Sequence, residues 1–153
     1  MAFTLSSGAF KPGGRIPRDN TCDGKDVSPA LTWEHPPAGA QAFALICDDP
    51  DAPAGTWVHW VIFNIAASAQ GLTQDVHGVQ VLPDGSAQGR NDFGNIGWGG
   101  PCPPRGKPHR YYFKLYALKE KVHLAPGASK KDLLKAIEGR VLGVAEIIGT
   151  YGR

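Results

Sequence analysis

Alternation with a period of two dominates the apolar pattern of this chain, and long runs with the 3.6-residue period of a helix are scarce, so most of the predicted elements are strands. The clearest is HRYYFKLYAL at 109–118: His109, Tyr111, Phe113, Leu115 and Ala117 face one way, and Arg110, Tyr112, Lys114 and Tyr116 face the other. From Trp57 the chain is apolar on both parities, with Trp57, His59, Val61, Phe63 and Ile65 on one and Val58, Trp60 and Ile62 on the other. That is a strand covered on both sides, and it contains a histidine. Ala42 to Cys47 predicts another buried strand. Shorter strands are expected at Phe3 to Leu5, Leu31 to Trp33 and, more weakly, Val76 to Leu82. The closing VAEIIGTY reads as a strand in which Glu146 is the one awkward residue. A single helix is predicted after the N-cap Ser129, with Asp132 in its first turn, Leu133, Leu134, Ile137 and Val141 on one stripe, and Gly139 as its stop.

Polar, Gly- and Pro-rich connections fill the gaps. KPGGRIPRDNTCDGKDVSPALTW reads as an ordered surface wrap in which Asp23, Asp26 and Ser28 cap local turns. EHPPAGA is a turn that leaves His35 at the surface, and residues 66–80 are a polar connection in which His77 has no neighbour to act with. Pro50 and Pro53 withhold backbone donors and fix φ, which places Asp49 and Asp51 on a stiff turn a few residues before His59. Residues 83–108 are the least regular part; such loops in a compact domain are usually functional or disordered, and Phe93, Ile96 and Trp98 argue for order.

Composition narrows the class. A chain of 153 residues that is 42% hydrophobic suits one compact domain spanning 1–153, and 20 glycines with 13 prolines favour a mainly β fold. The formal charge of +2 is spread along the chain, with no basic run longer than Lys130 and Lys131, so nucleic acid and anionic membrane surfaces are not expected as main partners. The N-terminus has no signal-like segment, and the run Trp57 to Ala67 falls well short of the roughly 20 residues of a spanning helix, so a soluble, cytoplasmic protein is expected. Three cysteines without CxxC spacing fit neither a disulfide framework nor a zinc site. Cys47 is expected as a small buried hydrophobe; Cys22 and Cys102 lie in loops able to approach each other, but a bridge between them is not expected.

The candidate chemistry gathers at two strand ends: Asp49 and Asp51, then His59, and His109 with Tyr111 beside the glycine-rich loop. Imidazole N–H groups, a phenol and free amides near Gly99 and Gly100 would all be donors toward a phosphate or carboxylate. An acid accepting from one nitrogen of a histidine fixes the tautomer and makes the other nitrogen a better donor. From the pattern alone a histidine on an apolar strand is as readily a satisfied core residue, and Trp57, Trp60 and Trp98 are core or pocket lining, since no basic stripe accompanies them as in a nucleic-acid platform.

DPDAP at 49–53 followed by HW at 59–60, with GGPCPPRGKPHRYYFKLYAL at 99–118, resembles the phosphatidylethanolamine-binding protein family. The likeness is to its bacterial and archaeal branch, described as similar to Raf kinase inhibitor protein, and TCDGKDVSPALTW and VAEIIGTY extend it over nearly the whole chain. The resemblance implies a mainly β (α+β) domain: a large antiparallel sheet packed on a smaller one, with Greek-key connections and few helices. It further implies a small anion pocket for phosphate groups or phospholipid headgroups, formed here by Asp49, His59, His109 and Tyr111. Asp51, Ala52, Pro53, Trp57, Gly100 and Pro101 would shape its rim. Asn20 and Trp98 depart from the branch, which commonly has tyrosine there. No cofactor or metal is expected, and the resemblance is to bacterial relatives that often form homodimers, a state open to this chain as well.

Three function classes remain open on these grounds. One is a non-catalytic module that binds a small anionic ligand, either a phosphorylated molecule or a phospholipid headgroup, with a kinase-regulatory or signalling role. It is favoured because Ser28 and Ser68 lack a GxSxG context and Cys102 lacks an adjacent base. Another is an enzyme using the same acids and histidines for acid–base or metal-assisted chemistry. The last is an inhibitor that engages a protease or kinase through the 83–108 loop.

Overall fold

A computed structural model covers residues 1–153, and strands carry it, as the alternation requires. In chain order they are β1 Thr4–Ser6, β2 Leu31–Glu34, β3 Ala42–Asp49, β4 Trp57–Ala66, β5 Gly71–Leu72, β6 Ala87–Gln88, β7 His109–Leu118 and β8 Val141–Tyr151. One helix, α1 Lys130–Ala136, precedes β8. No helix is long and apolar enough to cross a membrane.

The strands form two antiparallel sheets, of order β1-β2-β5 and β6-β4-β3-β7-β8. β3, β4 and β6 lie side by side, and β7 returns past both of its predecessors to pair with β3, which is the Greek-key order. β3 is buried at every position because both faces of the large sheet are covered. One face packs Leu45, Trp60, Tyr111 and Phe113 against the small sheet's Leu5, Leu31 and Trp33. The other packs Ala44, Ile46, Val61 and Phe63 against Leu133 and Ile137 at the helix. Burying these two layers supplies the main stabilisation, at about 25 cal/mol per Å² of apolar surface.

The β7 alternation holds over its full length, with the His109, Tyr111, Phe113, Leu115, Ala117 set buried. Simple parity fails in β4. Cys47 pairs with Trp60 and Asp48 with Val58, which leaves His59 as an extra residue; a second insertion lies between Ile62 and Ile65. Each β-bulge reverses the facing, so Trp60 and Ile62 join the inner core while Val61 and Phe63 face the helix. Asn64, in the second bulge, takes φ +55 and locks the kink by exchanging two hydrogen bonds with the backbone of Val122, at 3.0 and 2.9 Å.

Other expectations need correction. Asp49 is the last residue of β3, inside the sheet and 3% exposed, because the tight turn begins only after it. Val76 to Leu82 forms no strand; only Val81 makes an isolated bridge, and the segment is mostly exposed. Ser129 caps α1 through a reciprocal pair of bonds with Asp132, but the apolar stripe ends at Ile137. Gly139, at φ +75, turns the chain, so Val141 opens β8 and is 40% exposed. Asp23, Asp26 and Ser28 are not mainly local caps. Their side chains accept from Tyr151, from the Gly100 N–H and from the Val76 N–H, and so tie the wrap to distant segments.

Cys22 and Cys102 are joined by a disulfide, contrary to the expectation from an odd cysteine count. The physical reason is the meeting of the two loops, where the Cys22 N–H donates to the Pro101 carbonyl at 3.1 Å. Cys47 remains a free, buried thiol, and burial pushes its pKa up.

Candidate functional site

β3 ends, and β4 and β7 begin, at one end of the large sheet, and there they leave a cavity of about 320 Å³. Asp49, His59, His109 and Tyr111 all line it. Tyr111 comes from the inward face of β7, two residues beyond His109. Because His59 is the bulge residue, its carbonyl is released from the ladder and accepts from the Gly99 N–H at 2.9 Å, while its Nδ1 bonds the Gly99 carbonyl at 2.5 Å. The loop before Gly99 follows the same strand edge: the Gly89 and Asp92 N–H groups donate to the Val61 and Val58 carbonyls. The irregular segment is therefore ordered by β4, as its large apolar residues suggested.

Asp49 and the two histidines of the cavity have defined hydrogen-bond roles. Asp49 Oδ2 accepts from His109 Nδ1 at 2.7 Å, and its Oδ1 accepts from the Asp51 N–H at 2.7 Å. The carboxylate thereby fixes the His109 tautomer and leaves Nε2 as the uncommitted ring nitrogen. Against the Gly99 carbonyl, His59 Nδ1 must carry the proton, so a neutral His59 offers its Nε2 as an acceptor. Burial pushes the His59 pKa below its ordinary value of 6.5, although the Gly99 carbonyl and Asp49 oppose the shift. Burial, and next to it the charge of Asp49, pushes the Tyr111 phenol well above its ordinary value and keeps it a hydroxyl. That hydroxyl is buried and has no partner within the protein; neither has the indole N–H of Trp57. Ala52, Pro53, Ala54, Phe93 and Pro103 give the cavity an apolar collar, and the Phe93 ring packs T-shaped on both Trp57 and His59 with ring centres 5.5 Å apart.

Three of the rim residues named from the resemblance line the cavity: Ala52, Pro53 and Trp57. Asp51, Gly100 and Pro101 do not. The Asp51 carboxylate turns outward to a two-point pair with Arg110, at 2.9 Å for each bond, and also accepts from the Arg110 N–H. These hydrogen bonds hold its carboxyl down at about 2. The amides of Gly99 and Gly100, expected to be free, are spent on the His59 carbonyl and the Asp26 carboxylate. Trp98 also lies outside the lining: half-buried, it stacks on Phe113 at 5.9 Å and packs against the inner core. Asn20 is buried, donating to the Val27 carbonyl at 2.9 Å. Phe93, Cys102, Pro103 and Pro104 line the cavity unannounced. An aromatic residue amid glycines was the one available signal for Phe93, and the disulfide that fixes residues 102–104 left none. No three His, Cys, Asp or Glu side chains converge at a spacing suited to a metal ion.

Two antiparallel sheets in Greek-key order, with a histidine-and-tyrosine cavity at one end of the larger sheet, define a class of two-layer β proteins. Within that class the chain belongs to the phosphatidylethanolamine-binding protein family, whose model matches residues 6–152. It falls in the bacterial and archaeal branch. A UPF0098 protein of Methanothermobacter thermautotrophicus is 55% identical over 151 residues, covering 99% of both chains. The UPF0098 protein YbcL of Escherichia coli is 40% identical over 161 residues, covering 98% of this chain and 87% of its own. The crystal structure of YbcL, described as a new member of the mammalian family, superimposes with a TM-score of 0.92 at 37% identity, covering 100% of this chain and 99% of that one. The Chlamydia trachomatis homolog CT736 gives a TM-score of 0.89 at 37% identity, covering 99% and 98%.

Proposed function

We propose that this protein is a non-catalytic binding module whose pocket takes a small ligand through a phosphoryl group, carried by a phospholipid headgroup or a phosphorylated small molecule. The observation that carries the reading is the Tyr111 hydroxyl: a buried donor without a protein partner, in a cavity where His109 has one nitrogen committed to Asp49 and the other uncommitted. A buried donor left unmade costs about 1–3 kcal/mol, and a phosphoryl oxygen is the kind of acceptor that relieves it. The apolar collar of Pro53, Trp57 and Phe93 suits the organic remainder of such a ligand. A signalling or kinase-regulatory role would follow from occupancy of this pocket.

Calorimetric titration with phosphate and phosphoethanolamine tests the reading. Tyr111→Phe is expected to weaken binding about tenfold, on the order of 1.4 kcal/mol, while leaving the melting temperature unchanged or slightly higher. His109→Ala is expected to abolish it. Equal affinity in parent and both variants would overturn the proposal.

A further inference from the structure

The fold gathers four arginines that are far apart in the sequence. Arg15 and Arg18 come from the N-terminal wrap, Arg105 from the loop after the disulfide and Arg153 from the residues following β8, and with Asp23 and Tyr151 they line a cleft of about 360 Å³. No residue is shared with the Tyr111 pocket, although Cys102 to Pro104, which wall that pocket, lead directly into Arg105.

Four guanidiniums face one side-chain carboxylate, and that carboxylate is occupied. Asp23 Oδ2 accepts from the Tyr151 hydroxyl at 2.6 Å, and Oδ1 pairs with Arg153 at 3.2 Å. Arg153 spends its other terminal nitrogen on the Pro103 carbonyl at 3.3 Å and on Cys102 Sγ at 3.7 Å. Arg18 spends only Nε, on the Asp23 carbonyl at 2.8 Å, so both of its terminal nitrogens are unspent. Arg15 lies over the Tyr151 ring at 4.6 Å and, like Arg105, makes no side-chain hydrogen bond within the protein. Like charges gathered without matching carboxylates oppose folding, and an anion relieves them. The forks of Arg15, held by a ring, and of Arg18, held by a carbonyl, keep their outer N–H groups free and match the oxygens of phosphoryl groups. Four guanidiniums against the one Asp23 carboxylate leave more positive charge than the roughly two negative charges of a single phosphate offset.

We infer that this cleft is a second anion site, separate from the Tyr111 pocket, which takes small ligands bearing two adjacent phosphoryl groups. Such a diphosphate is presented either by a soluble ester or by a lipid head. The inference does not depend on what the first pocket binds.

The test is titration of the full chain with inorganic pyrophosphate at low and moderate salt, in the parent, in Arg15→Gln/Arg105→Gln and in His109→Ala. Pyrophosphate is expected to bind this cleft in the parent and equally in His109→Ala, where the Tyr111 pocket is disabled and the binding read is the cleft's own, and more weakly as salt rises. The double arginine variant should lose at least tenfold in affinity, and His109→Ala should retain the parent value. Because Arg15 also covers Tyr151, the single Arg105→Gln variant with an unchanged melting curve separates lost binding from lost folding; it should weaken binding severalfold. No binding to the parent, an unchanged affinity in the arginine variants, or a loss in His109→Ala alone would each overturn the proposal. Cosedimentation with vesicles carrying a diphosphate lipid would support a membrane-borne source of the same group, and binding confined to free pyrophosphate would support a soluble one.

Discussion

Burial disfavours the charged form of the His59 imidazole, and that sets this residue's own contribution to the pH dependence of stability. Its folded pKa lies below the ordinary 6.5, so as pH falls below that value the unfolded chain takes up a proton that the folded chain refuses. Stability contributed by this residue is therefore complete above pH 6.5 and is lost as pH falls toward the folded pKa. A bound phosphoryl anion supplies the missing counter-charge. Melting curves between pH 7.5 and about 5 are expected to show a falling midpoint without phosphate and a smaller fall with it, together with proton uptake on binding. A midpoint independent of phosphate across this range would contradict the assignment. At this scale the sequence shows His109 and Tyr111 facing inward, because β7 is regular and its parity is unbroken. The surroundings of His59 were not readable: a bulge is one extra residue in a ladder, and only the partner strand reveals it. The fates of the Gly99 and Gly100 amides were equally hidden, since their acceptors, His59 and Asp26, are 40 and 74 residues away along the chain.

Elements long enough to repeat their period, β3, β4, β7, β8 and the capped α1, were legible, with β8 beginning three residues earlier than its apolar run. β5 and β6, two residues each, carry no periodic signal at all, and Val76 to Leu82 carries one without a partner strand to use it. Pairing, not propensity, decides such short pieces. The same dependence on distant neighbours governs the loop that closes the pocket. A Cβ on Gly100 would stand 2.4 Å from both the Asn20 carbonyl and Asp26 Oδ1, so the wrap and the loop are held together by the lack of a side chain there. Gly100→Ala is expected to destabilise the protein by about 1–3 kcal/mol through overpacking and to weaken phosphoryl binding, as read by denaturant titration and calorimetry. Gly55→Ala is the informative contrast, because nothing lies within 4 Å of its Cβ position and only its φ of +109 opposes the change.

Across the whole molecule, the sequence shows its charges as interspersed, yet the arginine cleft exists because residues 15, 18, 105 and 153 meet only after folding. The disulfide belongs to the same order of fact. It joins residues 80 apart, and in the chain-entropy picture such a closure contributes about 4–5 kcal/mol by restricting the unfolded chain. Both of its cysteines are exposed, so a reductant has access. Reduction is expected to lower the melting temperature and the Cys22→Ser/Cys102→Ser variant to reproduce the loss; a midpoint unmoved by either would show that the loops hold each other without the bond. The bond also changes what breakage means for this molecule. Residues 73–75, an exposed bend, and 83–85, an exposed turn, lie inside the span it closes, and a protease that cuts there severs the peptide without parting the pieces. The nicked protein would run as one band in a denaturing gel until a thiol is added and as two fragments afterwards.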